Sequence, residues 1–308
     1  MRLIERLNVG ARIHRSGWPD VMNAVEAKAN SHGLLLDDCV ESSFLFKPIG
    51  RPHEEPWVGI FHFPCSLRSP LNQDRIRNTV MSLWTREHFK NSLRYLRGGI
   101  ALCEELRFYL RQRLQVPMVS ILHPTSMDVA QWEPTSLKRP NMIQVGYHLR
   151  NQRAIYHVPP LRDWTYQCIG PVNRWQQRRD KTIKNMCRPE VNRRVRKLGR
   201  LSNYEYDAAL ASSIVIMEVY GAAANNVVVE CMARGTPLLV NRRPAIMEYL
   251  GEDYPLYFDD IRKVSELLDH DRIKDASRVM VERRGPWLQL SQFAADVHGF
   301  VEGLEDAD

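Results

Sequence analysis

Glu218-Val-Tyr-Gly221-Ala-Ala-Ala-Asn225-Asn226-Val-Val-Val-Glu230-Cys-Met-Ala-Arg-Gly235-Thr236-Pro237-Leu-Leu-Val240 is the stretch on which the fold turns. It reads as the end of a strand, a loop, a helix and a second strand. The run Ser213–Met217 ahead of it is apolar and β-branched, as a buried strand is. Gly221–Ala224 is a loop of small residues, where a ligand can approach the backbone closely. Asn225 can cap a helix over Asn226–Arg234, which Gly235 stops, and Pro237–Val240 resumes a strand. The free N–H groups at the start of such a helix attract phosphate. The helix dipole adds about 0.3–1 kcal/mol for an anion there. Glu230 lies one turn in, at a depth where a carboxylate can accept both hydroxyls of a ribose. A charged hydrogen bond of that type contributes about 1.5–3 kcal/mol.

The same alternation extends in both directions. Toward the C-terminal half, Met142–Tyr147 reads as a strand and Tyr204–Ala211 as a helix. Toward the N-terminus, 57–63 is a buried strand, 84–95 has helical spacing, and Gly99–Leu102 is a strand. A helix follows from Glu104 to Leu114, then a strand over Pro117–Leu122. Alternating strands and helices predict parallel sheets with crossover helices. Residues 123–140 carry three prolines and no clear period, so a linker is expected there. The expected division is an N-terminal α/β domain over 1–125, a linker over 126–140, a C-terminal α/β domain over 141–290 and a C-terminal helix or tail over 291–308.

The 308 residues are 44% hydrophobic and 26% charged. That suffices for two cores and argues against global disorder. The net charge of +7 suits anionic ligands such as nucleotides, nucleic acid or acidic membrane surfaces. The six cysteines lack metal-site or disulfide spacing, which fits a reducing cytoplasm. No apolar run is long enough for a membrane span, although peripheral membrane contact stays compatible with the charge.

Glu230-Cys-Met-Ala-Arg-Gly235-Thr236-Pro237 resembles the donor-domain motif of retaining GT-B glycosyltransferases, the glycogen-synthase-like and sucrose-synthase-like group. Pro244-Ala-Ile-Met-Glu248 is similar to that family's following loop. The resemblance covers about residues 140–270. It implies a GT-B fold, two Rossmann-like domains facing a cleft, here with a reduced N-terminal domain. It further implies a nucleoside-diphosphate sugar donor, a UDP-sugar first among the choices, and transfer with retention. Eight residues before Glu230, where the family carries a glutamate, stands Ala222.

The turn Val145-Gly146-Tyr-His-Leu-Arg150-Asn-Gln-Arg153 follows the first strand of the C-terminal unit. In the resembled family this turn holds the diphosphate through cationic side chains. Arg150 and Arg153 match them in chemistry but not in spacing. Guanidinium groups grip phosphate bidentately and neutralise a departing diphosphate, so no metal or other cofactor is expected. The donor residues are then Gly146, Arg150, Arg153, Gly221, Asn225, Asn226, Glu230 and Thr236. Arg150, Glu230 and His62 are the candidates for catalysis. His62, at the end of a strand, is expected to face the cleft and orient the acceptor or contact the donor. His14, Arg15 and Ser16 form a second acceptor-side candidate.

Residues 171–200 carry eleven Arg/Lys against Asp180 and Glu190, a net +9 that exceeds the whole chain's +7. Such a run can follow a phosphate backbone or acidic lipid. The resemblance implies a glycan or small-molecule acceptor, and the basic run adds a polyanionic one, such as a hydroxymethylated DNA base. Two other classes compete with an enzyme: a non-catalytic GT-B-like binding protein, and a nucleic-acid-binding module with no sugar chemistry.

Overall fold

A computed structural model describes residues 1–3, 17–27, 29, 32–46, 51–68, 78–169 and 193–306. The chain divides into two compact units. The first comprises Met1–Ser126, Gly221–Asn226 and Gly285–Asp308, and the second Met127–Tyr220 and Val227–Arg284. The C-terminal residues thus join the first unit rather than forming a separate tail. Most of the segment expected as a linker is part of the second unit. Trp132 N–H donates to the carbonyl of Arg234 at 2.8 Å, and Gln131 Nε2 donates to that of Ala233 at 3.1 Å.

Among the described residues the first unit is built on five parallel strands: β1 (Arg2–Leu3), β2 (Leu35–Asp37), β3 (Trp57–Phe61), β4 (Leu96–Ala101) and β5 (Met118–Ser120), adjacent in that order. β3 is buried along its whole length, as strands covered on both faces are. One face packs on α1 (Trp18–Glu26) and on the C-terminal helix Leu290–Glu305. Val21, Val25, Leu36, Val58, Ile60, Ile100, Phe293 and Val297 form one apolar cluster there. Each contributes about 1.5–3 kcal/mol by burial. Gly98 lets the C-terminal helix lie close on β4, because an added Cβ would meet Phe300 and Leu304.

The helix expected over 84–95 is shorter. Arg86 has an extended backbone (φ −106°, ψ 117°), so the α-helix α2 starts at Glu87 and ends at Ser92, between 3-10 segments at Val80–Thr85 and Leu93–Tyr95. Ser92 Oγ bonds back to the carbonyl of His88 at 2.7 Å, a local bond that competes with helix continuation. The next helix, α3 (Glu104–Arg111), starts where the spacing puts it and ends before the expected Leu114.

Among its described residues the second unit has six parallel strands: β6 (Asn141–Gln144), β7 (Thr165–Ile169), β8 (Arg196–Leu198), β9 (Ile214–Met217), β10 (Leu238–Asn241) and β11 (Tyr257–Phe258). Their order is β11-β10-β9-β6-β7-β8. Counted within the unit this is 6-5-4-1-2-3, the doubly wound order of nucleotide-binding sheets. The order reverses between β6 and β9, so the carboxyl ends of those two strands frame the natural ligand crevice. The α-helices among the described residues are α4 (Ala154–His157), α5 (Asn203–Ala211), α6 (Asn226–Arg234), α7 (Pro244–Leu250) and α8 (His270–Glu282). A capping box of Ser202 and Glu205 starts α5.

α6 is buried from Val227 to Arg234. A helix buried all round drags its polar residues inward with it. Gly235 ends it at φ 68°. The N–H of Thr236 donates to Cys231 and that of Gly235 to Met232, at 2.9 and 3.2 Å, the double bond of a Schellman cap. A side chain at Gly235 would carry the left-handed penalty of about 1–2 kcal/mol, and its Cβ would crowd Val281. Gly235→Ala should therefore lower the urea midpoint by an amount corresponding to that energy, with the slope of the transition unchanged.

Candidate functional site

The turn after β6 is wound around one guanidinium. Gly146 has φ 75°, and a Cβ there would collide with the guanidinium of Arg150. Arg150 Nη1 donates to the carbonyl of Val145 at 3.0 Å and lies 3.0 Å from Met217 Sδ, while Nε donates to the carbonyl of His148 at 3.2 Å. Leu149 takes φ 53° to make this possible. The turn is then tied across the switch point to the end of β9. Arg150 bridges to Val219, Asn151 N–H donates to the carbonyl of Glu218 at 2.8 Å, and Tyr220 N–H donates to that of Leu149 at 2.8 Å. Asn151 Nδ2 donates to the Glu218 carboxylate at 2.7 Å. The Gln144 amide donates to the carbonyl of Asn151 at 2.9 Å and accepts from Ile155 N–H at 2.7 Å.

Arg150 is 7% exposed and Glu230 2%. Burial pulls the Arg150 pKa down, and the nearby Tyr206 hydroxyl and Glu230 carboxylate oppose that shift. The guanidinium keeps its proton in any case. The fold thus brings Arg150 and Glu230, eighty residues apart in sequence, into one electrostatic cluster. Tyr206 on α5 completes it by donating to Glu230 Oε2 at 2.7 Å. Burial and the carboxylate together push the Tyr206 phenol well above its ordinary pKa, so it stays a donor. Arg153 is 2% exposed and lies over the Tyr156 ring, 4.9 Å from its centre.

Tyr206, Gln144 and Asn151 had no signal in the sequence. Each is a polar residue whose role exists only through a partner distant along the chain. Asn241 is similar: from the end of β10 its amide accepts from Val219 N–H at 2.6 Å and donates to the Val219 carbonyl at 3.0 Å.

The surroundings of the other expected residues are as follows. Thr236 is fully buried and its hydroxyl donates to the carbonyl of Leu210 at 2.9 Å, which gives it a packing role at the end of α6. Gly221 belongs to the first unit, where a Cβ would meet Leu67 and the Ser66 carbonyl. Asn225 is buried and directly precedes α6, whose first residue is Asn226. His14, Arg15, Ser16 and the basic run before Arg193 lie outside the described residues.

His62 sits in a polar cluster of the first unit, at the carboxyl ends of β2 and β3. Its Nε2 is 2.9 Å from the Asp38 carbonyl, and Trp18 packs edge-on against its ring with centres 4.3 Å apart. The Trp18 indole donates to Asp38 Oδ2 at 2.9 Å. Glu41 is fully buried and accepts from the backbone N–H groups of His62 and Phe63 at 2.9 and 2.8 Å. Burial raises its pKa to about 7, against the pull of those N–H bonds. His123, buried beside Trp18, is pushed down to about 4 by desolvation.

No protein-family model matches the sequence, and no curated protein matches it. Solved structures share the fold at low identity. A sucrose-phosphate synthase from Thermosynechococcus elongatus superposes with a TM-score of 0.67 at 13% identity, over 94% of this chain and 79% of its own. The Anabaena protein HepE, solved with UDP and glucose, gives 0.57 at 14% identity over 80% and 72%. A UDP-forming trehalose-phosphate synthase from Burkholderia vietnamiensis gives 0.55 at 12% over 93% and 78%. The chain has the GT-B fold of these glycosyltransferases, with two parallel, Rossmann-like α/β sheets. Among the described residues no group of His, Cys, Asp and Glu has the makings of a metal site, and no helix is long and apolar enough to cross a membrane.

The two perturbed groups of the first unit pull stability in opposite directions. Glu41 keeps its proton longer when folded (about 7 against 4.5). Its contribution is full below pH 4.5 and is lost as pH rises through 7. His123 protonates later when folded (about 4 against 6.5). Its contribution is full above pH 6.5 and is lost as pH falls through 4. Relative to the parent, Glu41→Gln should lose stability on acidification from pH 6.5 to 4.5, by up to about 3 kcal/mol. His123→Gln should gain stability over the same interval. Urea unfolding at a series of pH values reads both slopes.

Proposed function

We propose that this protein transfers a sugar from a nucleoside-diphosphate sugar, a UDP-sugar, to an acceptor hydroxyl. The observation that carries the reading is the convergence of Arg150 and Glu230, both buried, where the strand order of the second unit reverses. A cation and a carboxylate in that arrangement suit the two ends of a ribosyl diphosphate: Glu230 accepts the ribose hydroxyls, and Arg150 with Arg153 neutralises the diphosphate. The structure solved with UDP and glucose supports uridine as the base by its likeness in fold.

In the reaction the bond between the anomeric carbon and the diphosphate oxygen breaks, and its electron pair leaves with the diphosphate. The acceptor oxygen forms the new bond and its proton passes to the leaving diphosphate, whose new charge it neutralises. Charge builds on the leaving oxygen, where the guanidinium groups stabilise it without a metal ion. Retention at the anomeric carbon and a cytoplasmic setting belong to the same reading. The acceptor is a glycan or small molecule, or a hydroxymethylated DNA base.

One observation favours a second reading, binding without transfer. Ala222 is small and buried where the resembled enzymes carry a glutamate. That reading predicts affinity for a nucleotide sugar but no release or transfer of labelled sugar.

Thermal-shift and calorimetric titration with UDP, GDP, ADP and their sugars tests the site. UDP at about 100 times its dissociation constant should stabilise the fold by about 2.7 kcal/mol. Glu230→Gln should weaken that binding at least about tenfold, as loss of a charged hydrogen bond does. Tyr206→Phe should weaken it in the same direction. Absence of a shift with every nucleotide overturns the donor-site assignment.

A further inference from the structure

We infer that the exposed segment 193–204 of the second unit binds single-stranded nucleic acid. Arg193, Arg194, Arg196, Lys197 and Arg200 stand within eight residues and are all exposed. No Asp or Glu occurs between Glu190 and Glu205. Among the described residues no carboxylate forms an ion pair with Arg193, Arg196, Lys197 or Arg200. β8, which carries Arg196 and Lys197, pairs only with β7 and is the outermost strand of its sheet among the described residues. This concentration of like charge repels itself and is stabilised by a polyanion.

The kind of polyanion follows from the side chains. Four of the five cations are arginines, whose planar forks match phosphate bidentately. Tyr204 follows Arg200 by four residues, at most about 14 Å of chain. It is 80% exposed and stands on the first turn of α5, which the Ser202–Glu205 capping box holds rigid. An exposed aromatic ring beside phosphate-binding cations is a stacking platform for an unpaired base. A membrane surface fits less well: Val195, Leu198 and Leu201 are half-buried, so the segment offers no exposed aliphatic anchor for the acyl boundary. A duplex hides its base faces from Tyr204.

The inference does not rest on the sugar reading, and either can fail alone. Fluorescence anisotropy of labelled oligothymidine and oligouridine, titrated with the full chain, reads the binding directly. Binding of both is expected, weakening at least about tenfold between about 50 and 200 mM salt. Arg193→Glu/Arg196→Glu/Arg200→Glu should lose at least about tenfold in affinity. Tyr204→Ala should lose at least about fivefold on the oligonucleotides and nothing on heparin, a polyanion without bases. In both variants the thermal unfolding midpoint and the far-UV circular dichroism should match the parent, which shows that the fold is intact. The inference is overturned by any of three results. One is no oligonucleotide binding at the lower salt. Another is unchanged binding in either variant. The third is tighter binding to vesicles of equal parts phosphatidylcholine and phosphatidylserine than to the oligonucleotides.

Discussion

The guanidinium of Arg150 is buried at the point where the second sheet reverses its strand order, and it cannot shed its proton to escape the cost. The surrounding chain therefore has to bring acceptors to it. The carbonyls of Val145 and His148 do so directly, and Glu230 supplies the opposing field. Turning two carbonyls inward within one short loop requires left-handed backbone at Gly146 and Leu149. The second of these is strained for a residue with a Cβ, by about 1–2 kcal/mol. Bonds from Gln144, Asn151 and the end of β9 offset that strain. Remove the buried cation and neither the turn nor its stitching has a reason to exist.

The same logic runs through α6. Because the helix is buried on every side, Glu230 and Arg234 enter the interior with Val227–Met232. Each is met by a residue of α5: Tyr206 donates to Glu230, and Asp207 pairs with Arg234. Two successive residues of α5 thus balance two charges one turn apart on α6. A change at either position of α5 is therefore a change in the field at the candidate donor site, even where the side chain itself touches no ligand.

In the first unit the polar cluster is built differently. Glu41 clamps the backbone of His62 and Phe63, and Asp38 holds Trp18 against the His62 ring. The ring of His62 is oriented by these contacts and not by the strand that carries it. Around it, the buried Glu41 and the buried His123 have proton equilibria near 7 and near 4.

Much of this architecture was legible in the chain. Apolar β-branched runs of four to six residues become strands, because only a doubly covered parallel strand hides such a run from water. α6 spans Asn226–Arg234 as its sequence indicates, since a glycine in left-handed backbone is the cheapest way to end a helix. The short α2 departs from its spacing because a local Ser92 bond competes with the helix, and periodicity carries no record of such competition. What only the tertiary structure decided is which distant residues meet: Arg150 with Glu230, Tyr206 with Glu230, Gln144 with the backbone of its own loop's return. The C-terminal helix joins the core of the first unit rather than trailing from the second. These are outcomes of burying apolar surface from the whole chain at once, and a polar residue acquires its partner only when that burial has removed water from around it.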